Sequence, residues 1–200
     1  MNINLPEFFE DRLKTDREMR SYVDMLVVDF DKWLNCSRLP FFPDYTDHGP
    51  EHLSCILATV SGLVVDRACR YVTSADVAVL TIATLFHDSA MHLSETGFRT
   101  LVNDESKNKS IPGFKDCSWR DAWDEYLFRA RRWTLAVKRN VFGNGFASTY
   151  EIVKDPFQNF DNLCDVDRKL IGEFIRIHHS RMAHEFSVNG IPGPDGFTPF

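Results

Sequence analysis

The sequence predicts an all-α fold, a helical bundle whose core is built from facing apolar stripes. Three observations carry this. Apolar residues recur at steps of three and four in several long segments, strand-like alternation is nearly absent, and helix-start and helix-stop residues bracket the periodic runs. The chain has 200 residues, 44% hydrophobic and 26% charged, which is ordinary globular usage and enough for one core. Seventeen phenylalanines supply its bulk.

Pro6 suits the first turn of a helix, and Phe9, Leu13, Tyr22, Val23, Leu26, Val27, Phe30, Trp33 and Leu34 follow mostly at helical steps. Residues 1–35 thus read as an N-terminal helical extension, broken near Thr15. From Cys36 to Gly49 the residues Pro40, Pro43 and Asp44-Tyr45-Thr46-Asp47 interrupt the period, giving a loop that delivers His48 to the next helix. Pro50 opens that helix, whose apolar face is Leu53, Ile56, Leu57, Val60, Leu63 and Val64, with His52 one turn before Ile56. Ser74 is the expected cap of a third helix, apolar nearly all round from Val77 to Phe86 and therefore central, which ends in His87-Asp88.

Residues 103–117 are polar, contain Pro112 and Gly113, and read as a surface insertion. Ser118 and Asp121 resemble a capping box for an amphipathic helix running to about Asn140, which presents Arg129, Arg131, Arg132, Lys138 and Arg139. Residues 146–162 show no clear period. A final helix is expected from about Asp165 to about Ser187, where Val166, Leu170, Phe174 and His178 fall at steps of four. Residues 36–189 form the main domain in this reading, and residues 190–200 a Gly/Pro-rich tail or linker.

Lys and Arg number 23 against 29 Asp and Glu, a net charge of −6, which makes duplex DNA an unlikely partner. The run Val77–Phe86 is too short to span a bilayer, so no membrane partner is expected. The acidic start, with Glu7, Glu10 and Asp11, lacks the features of a signal peptide, and a cytoplasmic location is expected. Five cysteines without a C-x-x-C pair read as reduced, mostly buried thiols.

All seven histidines fall in three clusters: His48 and His52; His87 and His92; His178, His179 and His184. Three helices, each carrying an imidazole at or near the end of an apolar stripe, can converge on a divalent cation in a bundle core. Neutral imidazole suits Mn, Fe, Co, Ni or Zn, and Asp88 would add a carboxylate that also admits Mg. Each residue has a plainer reading beside this one. His48 could cap its helix or bind a loop carbonyl, His184 could be solvated near a helix end, and Arg131 and Arg132 could belong to an ordinary solvated face.

The chain resembles the HD superfamily of metal-dependent phosphohydrolases through His52 and Ile56, through His87-Asp88 closing a buried helix, and through Ile177-His178-His179 on a later one. The stretches Tyr45-Thr46-Asp47-His48-Gly49-Pro50-Glu51-His52 and Phe86-His87-Asp88-Ser89-Ala90-Met91-His92 look most like the HD branch found beside GHKL-type ATPase modules in bacterial conflict and defence proteins. The resemblance implies His52, His87 and Asp88 as metal ligands, with Asp88 also catalytic. The family's last ligand is usually an Asp on a later helix, where this chain offers only Asp195 in its tail, and His178 takes that place in the reading. Met91 stands where several branches have Lys, so His92 is assigned the phosphate-facing cation or acid. His48, His179, Arg131 and Arg132 are the expected substrate-binding residues.

The implied function is hydrolysis of a phosphoester of a nucleotide or related small phosphorylated compound by a metal-activated water. The alternative is a catalytically incomplete HD-type sensor or interaction module that regulates an attached or partner ATPase.

Overall fold

A computed structural model describes residues 2–43, 48–103, 117–146, 148 and 152–198. Within them the chain is all-α, apart from one short hairpin. The N-terminal period resolves into α1 (Glu7–Leu13) and α2 (Arg17–Cys36). Asp16 makes the break near Thr15 because its side chain accepts the Met19 N–H and restarts the helix. Phe9, Leu13, Val23, Phe30 and Leu34 lie in the same core as the residues that follow.

Gly49 and Pro50 start α3 (Pro50–Leu63), and a single turn, α4 (Asp66–Cys69), follows. α5 (Ser74–Phe86) is capped by Thr73, one residue before the expected Ser74, in a reciprocal exchange with Asp76. α5 packs against α1, α2, α3 and the C-terminal helix, but it is not buried all round as its apolar pattern suggests: Val79 and Ala83 are exposed on one face. A buried 3₁₀ turn, Ser89–His92, carries the chain into α6 (Glu95–Asn103), an element too short for the sequence to show a clear helical period.

Most of the expected insertion, residues 104–116, lies outside the described residues, as do 44–47 of the loop before His48. The single amphipathic helix predicted after Ser118 is two: α7 (Trp119–Ala130) and α8 (Leu135–Phe142). Thr134 divides them by accepting the Val137 N–H, a local bond that competes with continuing the helix. A 3₁₀ segment, Pro156–Asn162, occupies part of the stretch without a clear period. α9 (Asp165–Asn189) then runs 25 residues.

The expected tail is folded as far as residue 198: β1 (Ile191–Gly193) pairs antiparallel with β2 (Gly196–Thr198). Gly190 and Gly196, at φ +89° and +104°, take the left-handed conformations that end α9 and turn the hairpin. The hairpin is held to the bundle by Thr100, whose hydroxyl donates to the Gly193 carbonyl at 2.8 Å, and by the close seating of Pro192 on Gly97. Composition alone could not show these tertiary attachments. The cysteines also differ from expectation: Cys36, Cys55 and Cys164 are exposed and Cys69 and Cys117 half-buried, all as free thiols.

An aromatic cluster ties the second half together. Phe98 of α6 meets Trp123 of α7 edge-on at 5.3 Å, and Trp123 meets Phe174 of α9 at 5.1 Å. α9 is the spine: it packs most extensively against the Ser89–His92 turn and passes directly beneath Phe41. A Cβ at Gly172 would stand 2.5 Å from the Phe41 carbonyl oxygen, so only glycine permits this approach. Gly172→Ala should cost about 1–3 kcal/mol in a urea titration. Gly62→Ala, in α3 with nothing within 4 Å, should instead gain about 0.5–1 kcal/mol; equal stability of the two variants would contradict the close crossing.

Candidate metal centre

Three chain segments converge here. His48 ends the loop before α3, His52 lies in the first turn of α3, and His87-Asp88 follow the last helical residue of α5. At Asp88 the backbone leaves the helix, with φ −110° and ψ 11°, as the 3₁₀ turn begins. The side chains meet at a single atom. Asp88 Oδ2 lies 2.8 Å from His87 Nε2, 3.2 Å from His48 Nδ1 and 3.6 Å from His52 Nε2. The His48 and His52 rings meet edge-on at 4.8 Å, and those of His52 and His87 stack at 5.8 Å.

Ligand atoms of His48, His52 and Asp88 all lie within 4.8 Å of one another. Donors bound to one ion at about 2.0–2.2 Å can stand at most about 4.4 Å apart, so contractions of a few tenths of an ångström would bring this set onto a shared cation. His87 lies outside that triplet but beside the same oxygen. Two imidazoles and a carboxylate, flanked by a third imidazole, fit a divalent transition ion better than the all-oxygen surroundings that Mg prefers.

The electrostatics set the protonation that such binding needs. Burial opposes ionisation of Asp88, but the hydrogen bond and charge of His87, followed by His48, outweigh it and hold the carboxyl down to about 2. Burial, helped by the neighbouring charge of His48, lowers the His52 pKa and favours neutral imidazole. Burial also works against the charged form of His87, yet its bonds to Asp88 and to the Thr84 carbonyl prevail and raise its pKa. His87 Nδ1 donates to that carbonyl at 2.6 Å, which fixes the ring and turns Nε2 toward Asp88.

The other expected site residues stand elsewhere. His92 is buried, its Nε2–H donating to the His48 backbone carbonyl at 3.1 Å and its ring 5.5 Å from that of Trp33, so it braces the loop instead of facing a phosphate. His178 continues the Phe174 stripe as expected, but the stripe faces α7: its ring lies 4.6 Å from Phe174 and 5.8 Å from Trp119. It is not in the His48, His52 and Asp88 set. His179 Nδ1 donates to the Arg176 carbonyl. Arg131 reaches the Val153 carbonyl, and Arg132 covers the Phe128 ring. Asp195 is exposed in the hairpin turn. Conversely, His48, expected to bind substrate, stands within the cluster beside Asp88, and its four-residue spacing from His52 is the signal that the two rings can share a ligand.

Metal uptake measured by calorimetry with Mn or Zn should fall at least about tenfold in His52→Ala and in Asp88→Asn, and stay unchanged in His184→Ala. Because imidazole must lose its proton to bind and burial lowers the His52 pKa, affinity should also drop as the pH falls below the ordinary imidazole value of about 6.5. Wild-type uptake in a folded Asp88→Asn protein would remove the site.

Comparison with known proteins adds one match. The HD-CE family model aligns with residues 42–198, from the loop before His48 through the C-terminal hairpin. No curated protein and no solved structure matches the chain. With an all-α bundle, histidines that meet His87-Asp88, and a match over most of its length, the chain belongs to the HD-CE family and carries an HD-type domain.

Proposed function

We propose that this domain is a metal-dependent phosphohydrolase acting on a phosphoester of a nucleotide or a related small phosphorylated compound. The observation that carries the reading is the single Asp88 oxygen faced by His48, His52 and His87. His48, His52 and Asp88 would hold a divalent ion, which when bound would supply Lewis acidity and lower the pKa of water. The chain supplies the rest. Asp88 stays ionised at neutral pH and anchors the cluster, while His87, held by Thr84, keeps an imidazole at its edge. Side chains of His52 and His87 are 33% and 36% exposed, so a phosphate can approach from their side, whereas His48 and Asp88 lie deeper at 17% each.

Kinship with the GHKL-associated branch, a role in defence and a cytoplasmic location form the finer part of this reading. The first two rest on the Tyr45–His52 and Phe86–His92 stretches, of which Tyr45, Thr46 and Asp47 lie outside the described residues, and the location rests on the acidic start at Glu7, Glu10 and Asp11. Among the described residues no helix is long and apolar enough to cross a membrane. One observation favours the second reading, a sensor module regulating an ATPase: among the described residues α9 gives no ligand to the His48, His52 and Asp88 set.

The test is a phosphoester panel of aryl phosphate, nucleoside monophosphates, triphosphates and cyclic nucleotides, using protein purified without a His tag and loaded with Mn. Turnover that requires the metal and falls about 100-fold or more in Asp88→Asn is the expected result. Metal-loaded, folded protein that hydrolyses none of them, as followed by product chromatography, would favour the sensor reading.

A further inference from the structure

A cavity of about 450 Å³ opens between α7 and α9, lined in part by Glu125, Tyr126, Arg129, Trp133, His178 and Arg181. It shares no lining residue with the His48, His52 and Asp88 cluster. On α9, His178 points about 120° around the axis from Gly172, the residue that meets the Phe41 loop. The volume is that of a small-molecule site, large enough for a heteroaromatic ring with its substituents.

The walls have a definite chemistry. Tyr126 and Trp133 meet edge-on at 5.7 Å, and Trp133 remains only partly buried where it borders the cavity. His178 is set in place by Phe174 and Trp119, yet neither ring nitrogen takes part in a hydrogen bond among the described residues. Burial, followed by the charge of Arg181, lowers its pKa, so the ring is neutral near pH 7 and offers one donor and one acceptor. Arg181 is rigidly held: it stacks over Trp119 at 4.1 Å, pairs with the buried Glu185 at 2.9 Å and donates to the Cys117 carbonyl. Arg129 stands at the rim in an ion pair with Glu125.

A neutral imidazole can offer one nitrogen to the edge of a nitrogen heterocycle, as donor or acceptor according to its tautomer, because its two nitrogens point in divergent directions. An indole face stacks such rings, and the guanidinium groups of Arg129 and Arg181, each already ion-paired with a carboxylate, keep further N–H groups that can donate to an anionic substituent. We infer that this cavity is a second ligand site, taking a planar nitrogen heterocycle with an anionic substituent, of the nucleoside monophosphate class, stacked on Trp133, hydrogen-bonded at His178 and with its anionic substituent accepting from Arg129 and Arg181. The inference does not rest on the phosphohydrolase reading, because the site uses none of the residues that would hold a metal.

AMP, adenosine and ribose 5-phosphate, titrated into EDTA-treated full chain and followed by tryptophan fluorescence and calorimetry, test it. AMP should bind saturably with Kd below about 1 mM, adenosine more weakly, and ribose 5-phosphate weakest. His178→Leu should weaken AMP binding about tenfold or more, with partial rescue in His178→Gln, and Trp133→Leu should remove most of the fluorescence change. Asp88→Asn should bind AMP as the wild type does. Absence of saturable AMP binding by folded wild-type protein overturns the inference. So does AMP binding that survives both His178→Leu and Trp133→Leu, that is lost in Asp88→Asn, or that ribose 5-phosphate equals. Since no metal is present, a failure here leaves the hydrolase reading standing, and an inactive hydrolase leaves this site standing.

Discussion

The structure turns on one half-buried carboxylate. Asp88 has been drawn out of water, which by itself penalises its charge, and it stays ionised because imidazoles from three places in the chain surround it. The loop end at His48, the first turn of α3 at His52 and the last turn of α5 at His87 are thereby fixed relative to one another. An isolated surface pair would be worth little, since water screens it and two long side chains must be ordered to make it. Here the rings are short, packed against each other and already held by their backbones, so the cluster costs little further ordering.

Supporting bonds behind the cluster show how precisely the backbone has been committed to it. Thr84 fixes the tautomer of His87 from one turn back on α5, and His92 reaches across from the following 3₁₀ turn to hold the carbonyl of His48. Both are local in sequence to Asp88, yet one acts on a residue of α3's approach loop, so the turn after α5 closes the site from two sides. α9 then clamps that turn. Its approach is limited on one flank by the contact of Gly172 with Phe41 and anchored on the other by the Phe98, Trp123 and Phe174 rings. Bulky aromatic packing and a single missing Cβ thus set the seat of the helix that covers the turn after Asp88.

That seat also explains why α9 carries two kinds of surface. The face with Gly172 and Arg176 meets the loop that leads to His48, while the Phe174, His178, Arg181 and Glu185 face lies against α7. A helix 25 residues long can serve two neighbours at once, because residues three and four apart share a face and intermediate ones turn away. The buried Arg181–Glu185 pair is completed by the Trp119 indole N–H, which donates to Glu185 at 2.6 Å, so the second face is organised by its own polar network.

Much of this was legible in the residues themselves. Apolar periods placed the long helices, because burial demands a continuous stripe whatever the partner is. The capping pattern at Ser118 was correct, and the first histidine cluster together with His87-Asp88 pointed to residues that the fold brings together, whereas the cluster at His178, His179 and His184 lies apart from them. Shorter features were not legible: α6, the division of α7 from α8 and the C-terminal hairpin depend on single caps or on contacts with distant segments. Periodicity told that His178 is on a core-facing stripe, but not which neighbour that stripe meets, and it likewise could not turn His92 inward or bring His48 to Asp88. A side chain's direction around its own helix is a local property, fixed by 3.6 residues per turn; what it faces depends on how helices cross, and those crossings follow from the shapes of residues far away in the chain.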